Sequence, residues 1–126
     1  TPYAAMSALA AGRASFDTGD LAAAKAQLQW VIDNAREEEV RDMARLRLAG
    51  VLLDEKKYAE ALALAETKHL EAFGGRYADL KGDILVAQGK LAEARGAYQL
   101  AFDKSDAQSA YRAMIQAKLD ALGDVK

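Results

Sequence analysis

The sequence predicts an all-α protein: a right-handed stack of about three helix pairs with a C-terminal capping helix, forming one domain over residues 1–126. Three observations lead there. Alanine and leucine dominate, threonine and valine are scarce and the only proline is Pro2, a balance that favours helices over strands. Apolar residues recur at spacings of three and four. One short pattern returns three times.

Length and composition bound the first reading. A chain of 126 residues has room for one continuous core. With 52% apolar and 29% charged residues it is too apolar for a disordered segment. The periodicity is explicit in Leu21, Ala24, Leu28 and Val31, and again in Leu91, Ala94, Tyr98 and Ala101, each set forming one stripe along a helix.

The repeat runs Gly19-Asp20-Leu21-Ala22-Ala23-Ala24, then Lys56-Lys57-Tyr58-Ala59-Glu60-Ala61, then Gly89-Lys90-Leu91-Ala92-Glu93-Ala94. Each copy is a turn followed by a helix start. Twelve residues before Ala24, Ala61 and Ala94 stand Gly12, Ala49 and Gly82. Small residues are needed where two antiparallel helices approach closely, so these pairs mark the expected contacts.

Seven helices are expected, over residues 2–17, 21–35, 38–54, 58–67, 72–88, 91–104 and 106–122. Pro2 suits a first helical turn and Asp20 caps the second helix. Glu37-Glu38-Glu39 opens the third, where the helix dipole favours negative charge. Over residues 67–75 the double glycine Gly74-Gly75 argues for a loop, whereas Leu70 and Phe73 suggest continued packing, and the boundary there stays open. Ser105 and Gln108 form a capping-box pattern for the last helix, and Gly123 is a natural stop. That helix places Ala110, Met114, Ala117 and Leu122 on one face and Arg112, Gln116, Lys118 and Asp120 elsewhere, the pattern of a terminal cap.

The charge balance, 17 basic against 19 acidic side chains, leaves no positive excess to neutralise phosphates, so no nucleic-acid partner is expected. Without cysteine there is no disulfide, thiolate nucleophile or cysteine-rich zinc site. No run of apolar residues approaches a membrane span. The chain starts Thr1-Pro2-Tyr3, without an initiator methionine, which raises the expectation of a further segment upstream.

Catalytic chemistry finds little to use. His69 is the only histidine, which rules out a two-histidine metal site or dyad within one chain. Ser7, Ser15, Ser105 and Ser109 fall on helices or caps, with no glycine-rich elbow. Adjacent acids in Glu37-Glu38-Glu39 point about 100° apart on a helix and cannot converge on one cation. Asp17 and Asp20 lack calcium-loop spacing. Trp30, Tyr98, Phe102 and Tyr111 read as core. No enzyme activity, metal or cofactor is expected.

The recurring small residue, turn and alanine resemble the tetratricopeptide repeat. A narrower resemblance rests on Tyr3-Ala4-Ala5, Ala26-Gln27-Leu28-Gln29-Trp30, Ala44-Arg45-Leu46-Arg47-Leu48-Ala49, Tyr77-Ala78-Asp79-Leu80-Lys81-Gly82-Asp83 and Met114-Ile115-Gln116-Ala117-Lys118-Leu119. In their order along the chain these look like the periplasmic domain of YfgM-type ancillary subunits of the Sec translocon. The resemblance implies a bacterial inner-membrane protein with one N-terminal anchor and this domain in the periplasm. As partners it implies the translocon, a PpiD-type folding factor and emerging envelope proteins, with the membrane touched only through the anchor. A soluble cytosolic scaffold for another complex is the alternative.

In tetratricopeptide-like stacks the first helix of each pair lines the concave side. The expected partner-binding residues are therefore Met6, Leu9, Arg13 and Phe16, then Met43, Leu46, Arg47, Gly50 and Leu53, then Arg76, Asp79, Asp83 and Val86. This set lacks the basic and asparagine side chains by which some family members clamp a terminal carboxylate, so a receptor of that kind is not expected.

Overall fold

The structure, a computed structural model, describes residue 9 and residues 20–123. Leu9 is helical and buried; the rest of the helix expected over residues 2–17, including Gly12, lies outside the described residues. Every regular element among the described residues is helical: α1 (Leu21–Asn34), α2 (Glu38–Asp54), α3 (Tyr58–Ala65), a 3-10 turn (Glu71–Phe73), α4 (Gly74–Ala87), α5 (Leu91–Lys104) and α6 (Ala110–Leu122). None of them is long and apolar enough to cross a membrane. The chain divides into two compact units, residues 1–70 and 71–126.

In the first unit, Asp20 caps α1 as expected, its carboxylate accepting a hydrogen bond from Ala23 N at 3.0 Å. The stripe Ala24, Leu28 and Val31 is buried, and removing each larger side chain from water contributes roughly 1.5–3 kcal/mol. At the other end Arg41 Nη1 donates to Ala35 O and Arg36 O at 2.8 and 2.9 Å, satisfying carbonyls beyond the last turn of α1. Trp30, expected in the core, stands 42% exposed, because α1 turns Ala22, Ala26, Gln29 and Trp30 outward on the face opposite its buried stripe.

Helix α2 has the expected bounds and packs against both α1 and α3. Ala49 and Ala61 are both fully buried, as the close contact of α2 with α3 requires. The turn between them places Lys56 at φ 64°, with Glu55 N, Lys56 N and Lys57 N donating to Val51 O, Leu53 O and Leu52 O. Helix α3 stops at Ala65, earlier than expected, where Thr67 Oγ1 donates to Ala63 O at 3.1 Å. The following loop is held by Asp42, a buried carboxylate of α2 that accepts from Leu70 N at 2.8 Å and from Arg45 Nη1 at 3.2 Å.

The boundary left open in the sequence falls at Gly74-Gly75, which form the first turn of α4, two residues after the expected start at residue 72. The two glycines make room for the end of α5: a Cβ on Gly74 would lie 2.9 Å from Lys104 Cδ, and one on Gly75 would lie 3.6 Å from Ala101 O. Between α4 and α5 the turn repeats the hydrogen bonds of the first unit, with Gln88 N, Gly89 N and Lys90 N donating to Ile84 O, Val86 O and Leu85 O and Gly89 at φ 76°.

Gly82 and Ala94 are both buried as expected, and the space over Gly82 is filled by Tyr98 of the expected α5 stripe. The Tyr98 ring lies over it so closely that any Cβ at position 82 would overlap the ring.

Two further expectations fail at the last helix. Ser105 ends α5, its hydroxyl donating to Ala101 O at 2.7 Å, and Ser109 is the cap of α6, its hydroxyl accepting from Tyr111 N at 3.1 Å. The inward face of α6 carries Ile115 and Leu119, while Ala110, Met114 and Ala117 are exposed. The helix is rotated by about one residue from the expected orientation because Tyr111 and Lys118, on its inner side, find carboxylate partners on α4.

Candidate interaction site

The expected binding residues separate by what surrounds them. Met6, Arg13 and Phe16 lie outside the described residues, and Leu9 is buried. On α2, Met43, Leu46, Arg47, Gly50 and Leu53 are spaced by three and four residues, which puts them on one face, and all five are half-buried. The opposite side of α2 carries Leu48 and Leu52, the floor of an open groove of about 590 Å³ whose walls include Ala26 of α1 and Leu64 of α3.

Gly50 sits in the middle of the half-buried stripe. A Cβ added there would meet nothing within 4 Å among the described residues. A glycine inside a 17-residue helix costs about 1 kcal/mol relative to alanine, and no close packing among the described residues requires it here. The result is a notch in an otherwise apolar and basic face, flanked by Leu46, Arg47 and Leu53.

In the second unit, Arg76 and Val86 are exposed, with the Arg76 guanidinium 5.5 Å from the Phe73 ring centre. Asp79 and Asp83 are engaged inside the unit. Asp79 accepts from Tyr111 Oη at 2.6 Å and from Lys118 Nζ at 2.8 Å. Asp83 accepts from Tyr98 Oη at 2.6 Å and from Lys118 Nζ at 3.0 Å. Lys118 thus bridges two carboxylates one helical turn apart, and its ammonium lies 5.5 Å from the Tyr98 ring centre. Sequence reasoning missed Lys118 because it assigned this residue to the polar outer side of the last helix. The signal was the Asp79, Asp83 pair at i and i+4, which needs a cation when turned toward a neighbouring helix.

This cluster has a pH signature. Burial pushes the Tyr98 and Tyr111 phenols well above the ordinary tyrosine range, and their hydrogen bonds to Asp83 and Asp79 push further in the same direction. Burial alone lowers the Lys118 pKa, but the bonds to Asp79 and Asp83 outweigh it and the net shift is upward. Groups raised in the folded state contribute stability that is complete below their unfolded pKa, about 10 for all three, and is lost as pH rises toward the folded values.

Urea midpoints should therefore be insensitive to these groups from pH 6 to 9. Above about pH 10 they should fall, each titrating group contributing up to about 1.4 kcal/mol per pH unit. The double variant Tyr98→Phe with Tyr111→Phe should show a shallower alkaline fall. An equal fall in wild type and double variant would rule out this origin.

His69 is half-buried, with Nδ1 3.0 Å from Thr67 O. Among the described residues no group of three or more histidine, aspartate or glutamate side chains could hold a metal ion. The arrangement offers shape, apolar contact and charge pairing, the means of binding another protein.

Comparison with known proteins agrees with this geometry. A family model described as a tetratricopeptide repeat-like domain matches residues 1–124. The chain is 36% identical over 119 residues to an ancillary SecYEG translocon subunit of Neisseria gonorrhoeae, covering 94% of this chain and 57% of that protein. It is 32% identical to the protein of the same description from Escherichia coli, covering 95% of this chain and 58% of the relative. For the Haemophilus influenzae protein so described the identity is 29%, over 80% of this chain and 50% of the relative. The chain thus spans about half the length of the curated relatives it matches. No solved structure matches it significantly.

Proposed function

The chain belongs to the tetratricopeptide repeat-like domain family, and from that premise we propose that it is a non-catalytic protein-binding module working at the Sec translocon as part of an ancillary subunit. Its similarity over nearly its whole length to proteins described as ancillary SecYEG translocon subunits supports the assignment. In this reading residues 1–126 act as one tetratricopeptide-like domain on the periplasmic side of the bacterial inner membrane, tethered by an N-terminal anchor. A PpiD-type folding factor and emerging envelope proteins complete the set of partners.

The observation that carries the binding mode is the α2 face, where Met43, Leu46, Arg47 and Leu53 surround the open Gly50 position. Side chains of this kind serve as the few anchors in which interface energy concentrates, and methionine adapts to contacts of variable shape. In this reading Met6, Arg13 and Phe16 also belong to the binding residues, Arg76 and Val86 serve in the second unit, and Leu9, which is buried, contributes to the core. Asp79 and Asp83 are bound to Lys118 and contribute by shaping the unit.

The test is affinity capture from membranes with the full-length protein. Gly50→Glu fills the notch with a charge at a position where an added Cβ meets nothing within 4 Å among the described residues, so capture of translocon subunits should fall at least about tenfold, or about 1.4 kcal/mol. Trp30→Ala, on the outward face of α1, should capture normally. Circular dichroism confirms that both variants fold. Normal capture by Gly50→Glu together with loss in Trp30→Ala would move the binding surface away from the α2 face. If wild type brings down no translocon subunit, the Sec assignment itself fails.

A further inference from the structure

Helix α6 is attached to the α4–α5 pair differently from the way those two helices are attached to each other. Between α4 and α5 lies a continuous apolar interior of Tyr77, Ile84, Leu85, Ala97, Tyr98 and Ala101, with Gly82 sealed under the Tyr98 ring. Of the 13 residues of α6, only Ile115 and Leu119 are buried.

Several further links are polar or involve a cation. Lys118 reaches Asp79 and Asp83, Tyr111 reaches Asp79, Arg95 Nη1 donates to Leu119 O at 3.3 Å, and the Arg112 guanidinium stacks 4.1 Å from the Phe102 ring centre. Water can replace most of these links once the helix leaves.

The pair α4–α5 also carries its own terminations. Ser105 closes α5 through Ala101 O, and the connection to α6 is held by the local bonds Gln108 N to Asp106 Oδ1 and Ser109 N to Asp106 O, both 2.9 Å. The contacts of the Tyr98 ring with Gly82 and of its hydroxyl with Asp83 lie wholly within the α4–α5 pair.

We propose that α6 is a releasable strap, latched by Lys118 and Tyr111 to Asp79 and Asp83, which swings away about the Ser105–Ser109 connection while the α4–α5 pair stays folded. Opening uncovers the two carboxylates and frees a helix carrying Tyr111, Ile115, Lys118 and Leu119 on one side. The second unit then has two states that differ in exposed surface, and a partner that prefers the open one shifts their populations.

Hydrogen exchange of the whole chain at neutral pH, resolved by helix, tests this. Amides of α6 should exchange at least about tenfold faster than those of α4 and α5, with a weaker dependence on urea, the mark of sub-global opening. Lys118→Met should accelerate α6 by about a further tenfold while changing α4 and α5 by less than about twofold, and Lys118→Arg should restore most of the protection. If α6 in the wild type shares the rates and urea dependence of α4 and α5, it leaves only when the unit unfolds and the proposal is overturned. Uniform acceleration of all three helices by Lys118→Met, or failure of that variant to fold, overturns it as well.

Discussion

Replacing Gly82 with leucine should unfold the second unit or leave it barely stable. Overpacking a core usually costs about 1–3 kcal/mol because neighbours shift or side chains leave their preferred rotamers. Here the obstacle is an aromatic ring with nowhere to go, since Tyr98 is buried, lies directly over Gly82 and is tied at its far end to Asp83. The first added carbon already overlaps that ring. We therefore expect a loss of at least about 3 kcal/mol for Gly82→Leu and a measurable loss even for Gly82→Ala, read as lowered urea midpoints. Pairing Gly82→Ala with Tyr98→Leu should recover part of it, because the flat ring is what the methyl strikes. A wild-type midpoint for Gly82→Leu would mean that α4 and α5 do not meet at this position.

Asp42→Ala should be the most damaging single change in the first unit. The carboxylate is 2% exposed and holds Leu70 N at 2.8 Å and Arg45 at 3.2 Å. Breaking a buried charge pair by deleting one member costs about 3–5 kcal/mol, and a stranded buried N–H adds about 1–3. Partial exposure of Arg45 softens the first figure, so the expected loss is about 3 kcal/mol. Asp42→Asn retains an acceptor for Leu70 N and should fall between the two. Thermal and urea unfolding of the three proteins, with proteolysis of the segment around Leu70, would read both effects. Equal midpoints would show that the loop after α3 is held by other means.

Much of this architecture was legible in the sequence because it follows from local rules. The bounds of α2, the Asp20 cap, the stripe Ala24, Leu28 and Val31, and the buried positions Ala49, Ala61, Gly82 and Ala94 all depend on period and side-chain size. What escaped depends on a second helix. Gly74-Gly75 has the composition of a loop, yet the pair opens α4, where glycine leaves room for Lys104 and Ala101. Trp30 has the chemistry of a core residue and the position of a surface one.

On α6 two stripes competed. Ala110, Met114 and Ala117 looked more apolar than a face containing Lys118, and only the carboxylates of α4 make that lysine an inward residue. For the same reason the sequence pattern presents Asp79 and Asp83 as surface groups, while the cation they meet, Lys118, comes from the chain itself. Met6, Arg13 and Phe16 lie outside the described residues.

The turns ending α2 and α4 share one hydrogen-bond plan at an offset of 33 residues, with Lys56 in one and Gly89 in the other at nearly the same positive φ. A lysine there costs about 1–2 kcal/mol that glycine avoids, yet the joint keeps its shape. Its specification is thus written in main-chain donors and acceptors, as a standard coupling is defined by its thread and not by its material. Residues 52–57 and 85–90 are interchangeable parts in that sense, and the side chains decorating them can drift in type, charge and size without altering how one helix hands the chain to the next.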